Sequence, residues 1–364
     1  MLTRTEELFF ELLRIALGTQ ETLTTTLTDD EWLEVSQMAV KQSVLGILYS
    51  AVEKLPEAQR PPTDLYIDMY QCVQEIEDRN HHLNKMTALV SSRFRKDGFP
   101  NCILKGQGIA LLYPNPLRRQ SGDIDIWLKG KRKDIIKYVQ KIVPSKKPNY
   151  HHIGFNLKDG TMVEAHFTPS LAFNPLTNWK IQKWAKLHQD NQMKTLVVLP
   201  DSDREITTPT VRFNAVFILH HLFKHLLYEG VAMRHVLDYC YVLKTFQAEN
   251  PPESTLDDVK KDLTNLNLKK ISGALGWIYV HLLGLPKDCL LFPPHEKDGQ
   301  FIIRQILDNT DRIVEENSRF HQRFHFVRPY LTSYFSEAVF FPLQGVFSKV
   351  RKWKEKTVAL LFQE

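Results

Sequence analysis

Two aspartates, Asp123 and Asp125, are separated by one residue in the apolar stretch GDIDIWL. If this stretch is a β-strand, residues i and i+2 point to the same face, so the two carboxylates lie side by side. Like charges at that spacing raise each other's pKa unless a cation lies between them, and Mg²⁺ prefers carboxylate and phosphate oxygens. The pair therefore predicts a divalent metal site. The alternative is two charges on a solvated edge strand.

A third carboxylate, Glu164, lies in the stretch TMVEAHF, where Glu164 and His166 would share one face of a second strand. Three carboxylates from neighbouring strands can hold two divalent ions, roughly 4 Å apart. Such ions lower the pKa of an attacking hydroxyl and neutralise a leaving pyrophosphate. The combination with Asp123 and Asp125 therefore favours a two-metal transfer site.

Upstream of the aspartates, the stretch ILKGQGIA is interpreted as a strand that turns through glycines into a helix. A turn of this kind exposes backbone N–H groups to a phosphate, and Gly106 lets the backbone approach a ligand closely. Lys105 would add a positive charge. The alternative is an ordinary strand-to-helix turn that happens to carry a lysine.

These stretches together resemble the nucleotidyltransferase superfamily that includes polymerase β-type enzymes and kanamycin nucleotidyltransferase. They are most similar to a group of uncharacterised bacterial nucleotidyltransferases, over about residues 98–170. The shared pattern is a Lys-Gly turn, a Y-P-x-P stretch, an arginine four residues before the first aspartate, and an acidic residue ahead of a histidine. In this chain the pattern is carried by Lys105, Gly106, Tyr113, Pro114, Pro116, Arg119, Asp123, Asp125, Glu164 and His166. The later segment GVAMRHVLDYCYVL, with Arg234 and Asp238, is also similar to that group.

The resemblance implies a role for each of these residues. Asp123, Asp125 and Glu164 would bind two Mg²⁺ or Mn²⁺ ions, and Glu164 would help to activate the acceptor hydroxyl. The turn of Lys105, Gly106 and Gln107, together with Arg119, would bind the triphosphate of a nucleoside triphosphate donor. Contacts to the acceptor or the nucleobase would come from His166, Arg234 and Asp238.

The implied activity is transfer of a nucleoside monophosphate from the triphosphate to a hydroxyl on a small molecule, a protein or RNA, with release of pyrophosphate. The superfamily usually has Gly-Gly or Gly-Ser at the phosphate turn, whereas this chain has Gly106-Gln107. The departure favours, as the alternative, a weak or inactive nucleotidyltransferase fold that acts as a binding or antitoxin-like module.

The elements that must position these residues fall into three segments. Residues 1–97 are interpreted as helices, with one helix from Thr28-Asp29-Asp30-Glu31 through Ala51 and a long one from about Thr63 to Lys96. Residues 98–207 are interpreted as the mixed-sheet catalytic domain, in which Lys158-Asp159-Gly160 predicts a hairpin turn and Thr195 to Leu199 a further strand. Residues 208–364 are predicted to be a helical domain. The fold class is therefore α+β, a polymerase β-like mixed sheet between helical segments.

Composition limits the classes of protein that this chain could be. It has 364 residues, 43% apolar and 24% charged, which is typical of a soluble globular protein. A net charge of +5 permits an anionic ligand but does not indicate a general DNA binder. We expect no membrane span and no signal peptide, since the longest apolar runs are short and the N-terminus contains acids. The four scattered cysteines predict a reduced, cytoplasmic protein.

Several histidines and basic residues have two interpretations each. His221 and His225 have the i, i+4 spacing of a zinc site, or belong to a buried histidine cluster with His235. His151 and His152 are interpreted as surface residues. Arg234 and Asp238 could instead be a structural ion pair. The lysine-rich run at 129–147 is predicted to be a solvated face, with an RNA contact as the alternative, and the basic segment at 349–362 to pack against the helical domain.

Overall fold

A computed structural model describes residues 2–172, 174–228 and 230–308 of the chain. The basic segment at 349–362 therefore lies outside the described residues. Within these ranges the protein has an α+β architecture, as the sequence predicts. No helix in the described ranges is long and apolar enough to cross a membrane.

The N-terminal segment consists of helices. Two of them begin with a capping box, in which Thr3 and Glu6, or Thr28 and Glu31, satisfy each other's backbone N–H groups. The third, α3, is short and apolar, and the fourth has the predicted bounds. A short 3₁₀ helix, Glu57–Gln59, precedes the fourth helix, and the first strand of the sheet begins at residue 101. The four helices are α1 (Arg4–Leu17), α2 (Asp29–Lys41), α3 (Leu45–Val52) and α4 (Thr63–Lys96).

The single helix predicted from Asp29 through Ala51 is wrong, because the chain breaks between α2 and α3. Ser43 lies in the left-handed region with φ of 55°. The break lets the buried Gln42 side chain accept the Met233 N–H at 2.7 Å and donate to the Ile306 carbonyl at 3.2 Å. Contacts from distant helices therefore override the local helical pattern.

A four-stranded mixed sheet lies at the centre of the chain, in the order β1-β2-β4-β3. Its central pair, β2 and β4, is parallel, and the two outer pairs are antiparallel. The predicted hairpin is confirmed: β3 and β4 flank a turn in which Gly160 has φ of 89°. The strands are β1 (Asn101–Ile103), β2 (Ile124–Leu128), β3 (His152–Asn156) and β4 (Met162–His166).

The two faces of this sheet differ in chemistry. Ile124, Ile126, Val163 and Ala165 alternate with polar residues and form an apolar face. This face packs in one hydrophobic core with residues of α4 and of the crossover helix α6 (Arg132–Ile142). The opposite face carries Asp125, Glu164 and His166, and is the face that positions the site.

Short elements connect the sheet to its surroundings. The turn after β1 leads into α5 (Gly106–Ala110) and the 3₁₀ helix Pro116–Arg118. After β4 the chain forms α7 (Pro175–Gln192) and a two-stranded hairpin of β5 (Leu196–Val198) and β6 (Glu205–Thr207). The predicted strand at 195–199 is confirmed, whereas α7 and β6 were not predicted.

The described part of the C-terminal segment, up to residue 308, is helical, as predicted. Its helices share one hydrophobic core with α1–α3, so the two ends of the described chain pack together. Arg304 of the last helix pairs with Glu6 of α1. These helices are α8 (Val211–Tyr228), α9 (Met233–Ala248), α10 (Glu253–Asn265), α11 (Lys269–His281) and α12 (Glu296–Asp308), with a 3₁₀ helix at Lys287–Cys289.

Candidate active site

The parallel pairing of β2 with β4 brings two of the predicted carboxylates together. Asp125 lies directly opposite Glu164 in the register of the pair. Because directly paired residues project to the same side of a sheet, both side chains lie on the polar face. Asp123 ends the segment before β2, two residues from Asp125, and lines the same cavity.

Two cationic groups neutralise Asp125, which is only 3% exposed. The Nζ of Lys105 lies 2.9 Å and the Nε2 of His166 2.8 Å from its Oδ1. Burial alone would raise the pKa of Asp125, but Lys105 and the hydrogen bond from His166 outweigh it and lower the pKa. Burial likewise opposes the charge of Lys105, and the aspartates outweigh it and raise its pKa. Asp125 therefore stays ionised.

His166 links the two paired carboxylates. Its Nε2 also lies 3.3 Å from Oε2 of Glu164. Burial opposes protonation of this ring, but the hydrogen bonds to Asp125 and Glu164 outweigh burial and raise its pKa. The burial of Glu164 is offset in the same way by His166, which lowers the pKa of that carboxyl.

The charge of Lys105 also acts on Asp123 and lowers its pKa, but stronger influences outweigh it. The negative charge of Asp125, followed by burial, raises the pKa of Asp123 to about 6. Two carboxylates that repel each other in a cleft are the pattern that a divalent cation relieves.

A cavity of about 340 Å³ lies against these carboxylates and is closed on the far side by α8 and α9. Most of the residues predicted from the sequence lie at its wall. They are Lys105, Gly106, Arg119, Asp123, Asp125, Glu164, His166, Arg234 and Asp238. The predicted nucleotide-binding residue Gln107 is the one whose side chain lies elsewhere.

Gln107 projects from α5 toward α4 and is buried. Its Nε2 donates to Oδ1 of Asn84 at 3.0 Å and to Oδ1 of Asn80 at 3.2 Å. The bulk of this residue is therefore accommodated beside α4 and does not occupy the cavity.

Gly106 forms the wall of the cavity with its backbone. Its φ of 46° is in the left-handed region that favours glycine, and a Cβ there would lie 3.4 Å from the Asp123 carbonyl oxygen. Because α5 has only five residues, the polarity of this turn comes from local N–H groups more than from a long helix dipole.

Arg119 and Asp238 are bonded to each other across the cavity wall. The Nε and NH2 groups of Arg119 each donate to an Asp238 carboxylate oxygen at 2.7 Å, and NH1 donates to Ser121 at 2.9 Å. Tyr113 donates its hydroxyl to the same carboxylate at 2.7 Å. Asp238 is thus held by Arg119 and Tyr113, and Arg234 donates to the Gln120 carbonyl at 2.9 Å. These bonds tie the segment before β2 to α9.

The surface placement predicted for His151 and His152 is wrong, since both line the cavity. The Nε2 of His152 lies 3.3 Å from Oε1 of Glu164. Edge strand β3 presents His152 on the polar face because it pairs in register with His166 of β4. Their burial depends on which strand pairs with β3, and local sequence does not specify that pairing.

His221, His225 and His235 converge as the spacing predicts, with one ring nitrogen of each within 4.8 Å of the others. The Nδ1 of His235, however, accepts the Ala232 N–H at 3.1 Å. A neutral ring that accepts through Nδ1 carries its proton on Nε2 and has no lone pair there for a metal. Burial lowers the pKa of His221 and His235. The hydrogen bond of His235 therefore favours a buried histidine cluster over a three-histidine zinc site.

Lys224 and Ser170 are among the cavity-lining residues that the sequence did not single out. Lys224 could have been found, because His221, Lys224 and His225 follow an i, i+3, i+4 pattern on one face of α8. Ser170 lies in the loop after β4, and no spacing signals its position.

Comparison with known proteins identifies the family of this chain. A family model described as an uncharacterised nucleotidyltransferase matches residues 28–284, more than two thirds of the chain. No curated protein matches the chain. Among solved structures, an antigenic nucleotidyltransferase-like protein from Paracoccidioides brasiliensis is 13% identical, with a TM-score of 0.32, over 60% of this chain and 96% of that chain. A likeness this slight supports no inference about the site. The family match confirms the resemblance, and the chain belongs to the family of uncharacterised nucleotidyltransferases.

Proposed function

We propose that this protein transfers a nucleoside monophosphate from a nucleoside triphosphate to a hydroxyl acceptor and releases pyrophosphate. The observation that carries the proposal is the convergence of Asp123, Asp125 and Glu164 on one cavity, beside the turn of Lys105 and Gly106. The family match supports this reaction class, and the proposed acceptor is a small molecule, a protein or RNA.

The carboxylates suit the hard cations that this reaction class requires. One ligand atom each of Asp125, Glu164 and His166 lies within 4.8 Å of the others. The raised pKa of Asp123, about 6, marks a repulsion that added positive charge would relieve. Asp123, Asp125 and Glu164 would hold Mg²⁺ or Mn²⁺. When bound, such ions neutralise polyphosphate charge and lower the pKa of an attacking hydroxyl.

The remaining wall residues would position the substrates. Gly106 has no side chain, so the triphosphate can approach the backbone, and the ammonium of Lys105 lies beside that turn. Glu164 would accept the proton of the acceptor hydroxyl. Arg119 would act chiefly through Asp238, by fixing the segment that carries Asp123 against α9. Transfer of this kind depends on positioning and charge neutralisation, which this set of groups can provide.

The test is incubation of the purified protein with labelled nucleoside triphosphates, Mg²⁺ or Mn²⁺, and a cell extract. We expect label in an acceptor, and loss of at least 100-fold in the rate for Asp123→Asn and Glu164→Gln, because each removes one of the three converging carboxylates. The fully exposed Asp203 provides a matched control, and Asp203→Asn should keep the wild-type rate.

A binding module without catalysis predicts a different result. Triphosphate and metal together would then raise the melting temperature, but no acceptor would be labelled. Full activity in Asp123→Asn or Glu164→Gln, or no thermal stabilisation by any triphosphate with metal, would contradict the proposed transfer.

A further inference from the structure

Among the described residues that line the cavity, Ser170 is the only one with a hydroxyl group. The reaction proposed above needs a hydroxyl as its acceptor. The chain therefore provides one acceptor of the required chemistry at the wall of its own site. Ser170 is 4% exposed, so it is largely shielded from bulk water.

The loop that carries Ser170 is held in place by α7. The backbone carbonyl oxygen of Ser170 accepts hydrogen bonds from Nε2 of Gln182 at 2.8 Å and from the hydroxyl of Thr168 at 3.4 Å. Two residues later, the Ala172 N–H donates to Oδ1 of Asn178 at 3.2 Å. These contacts fix the backbone on both sides of the serine, so its side chain has a defined position.

The Ser170 hydroxyl also has a base at hydrogen-bonding distance. Its Oγ lies 2.8 Å from Nδ1 of His220 on α8. Burial, together with the charge of Lys224, lowers the pKa of His220 to about 4, so the ring is neutral at physiological pH. A neutral imidazole beside a serine hydroxyl is the arrangement that activates a serine nucleophile.

We propose that the protein nucleotidylylates itself on Ser170, with His220 as the general base. In this step the Oγ of Ser170 attacks the α-phosphorus of the bound triphosphate, and the hydroxyl proton passes to Nδ1 of His220. The bond between the α-phosphorus and its bridging oxygen breaks, and pyrophosphate leaves with that electron pair. The product is a phosphodiester between Ser170 and the nucleoside monophosphate.

This inference rests on the proposed function, because it uses the same donor and the same carboxylates. It adds a consequence for the site. A nucleoside monophosphate attached to Ser170 would occupy a cavity of about 340 Å³ and block entry of a second acceptor. Self-modification would therefore slow transfer to external acceptors.

The test is incubation of the purified full chain with each nucleoside triphosphate and Mg²⁺, without any added acceptor. Intact mass should rise by one nucleoside monophosphate, and peptide mapping should place it on Ser170. Ser170→Ala should stay unmodified, Ser170→Thr should be modified at the threonine, and His220→Gln should react about 100-fold more slowly. The exposed Ser254 provides the matched control, and Ser254→Ala should be modified as the wild type is.

A second readout separates chemistry from a structural role of the serine–histidine pair. Added pyrophosphate should regenerate the triphosphate from modified protein, because the transfer step is reversible. Thermal unfolding of each variant, with and without triphosphate and metal, would show that the variant is folded and binds the donor.

Failure of this inference differs from failure of the proposed function. If an acceptor in a cell extract is labelled while Ser170 is not, the self-modification is wrong and the transfer activity stands. Modification of Ser170→Ala at the wild-type rate, or mapping to another residue, would also overturn the inference. If no triphosphate binds with metal and nothing is labelled, both proposals fail.

Discussion

Asp123 and Asp125 are the same residue type two positions apart, yet their surroundings give them opposite properties. Asp125 is bonded to Lys105 and His166, which keep it ionised. Asp123 meets chiefly the negative charge of Asp125, which raises its pKa to about 6. The same substitution at the two positions should therefore change stability in opposite directions.

Asp123→Asn should stabilise the protein at high pH when metal is removed by a chelator. The raised pKa means that the folded protein binds more protons than the unfolded chain between about pH 4 and 6, so stability falls as pH rises through that range. Removing the carboxylate should restore on the order of 2 kcal/mol at pH 8 and almost nothing at pH 4. Denaturant unfolding at both pH values measures this difference.

Asp125→Asn is the contrasting variant. It leaves Lys105 and His166 without their buried counter-charge, and loss of one partner of a buried pair costs about 3–5 kcal/mol. An equal gain from Asp123→Asn at both pH values, or a gain in stability from Asp125→Asn, would contradict this account of the two carboxylates.

Residue types and spacing were sufficient to find the three carboxylates and the Lys-Gly turn, since strand alternation brings residues two apart to one face. They could not find Ser170 or His152 as parts of the wall. Those positions depend on which strand lies beside which and on how α8 crosses the sheet, and neither is encoded in local spacing.

At the scale of elements, helix α4 supports the site through hydrogen bonds of its Asn80 side chain. Asn80, which is 1% exposed, donates through Nδ2 to the carbonyl oxygens of Leu117 at 2.6 Å and Arg119 at 2.8 Å. Its Oδ1 accepts from Gln107. One side chain of α4 therefore holds both α5, which begins at the turn of Lys105 and Gly106, and the segment that leads to Asp123.

Asn80→Ala should loosen this part of the site. We expect a loss of about 2–3 kcal/mol in the free energy of unfolding, because the partner groups stay buried without hydrogen bonds. Stabilisation by triphosphate with metal should fall as well, since the phosphate turn and the Arg119 segment lose their common anchor. Asn265→Ala, at an exposed helical position, is the control and should change neither quantity. Identical behaviour of the two variants would show that α4 does not position the site.

The elements differ in how well local sequence predicts them. The bounds of α4 and the β3–β4 hairpin follow from the prolines before the helix, its helical periodicity and an Asp-Gly turn, and both are confirmed. The break at Ser43 and helix α7 were missed. Helix α7 has no clear apolar stripe, and it leaves Trp179 and Leu187 exposed. Its place is set by contacts such as the hydrogen bond from Trp184 to Asp262 of α10.

At the scale of the whole molecule, the described chain has two hydrophobic cores. One joins the N-terminal helices to the C-terminal helices, and the other joins the apolar face of the sheet to α4 and α6. The cavity lies where the polar face of the sheet meets α8 and α9. The division at 97/98 and 207/208 stays a prediction.

An isolated fragment of residues 98–207 should fail to fold cooperatively. It lacks Leu83 and Phe94 of α4, which cover the apolar face of the sheet, and it lacks α8, which covers the polar face. Circular dichroism melting of the fragment, with the full chain as the control, measures this. A cooperative transition in the fragment alone would show that the middle segment is an independent domain.

The alternation of side chains along β2 and β4 has a consequence for genetics. Ile124, Ile126, Val163 and Ala165 support folding from one face, while Asp123 and Glu164 line the cavity on the other. Point mutations at the codons for Asp123 and Glu164 should therefore abolish the proposed activity without lowering the amount of the protein in the cell. Such alleles would be suitable as dominant-negative tools, because a normally folded but silent copy still competes for whatever the active copy binds.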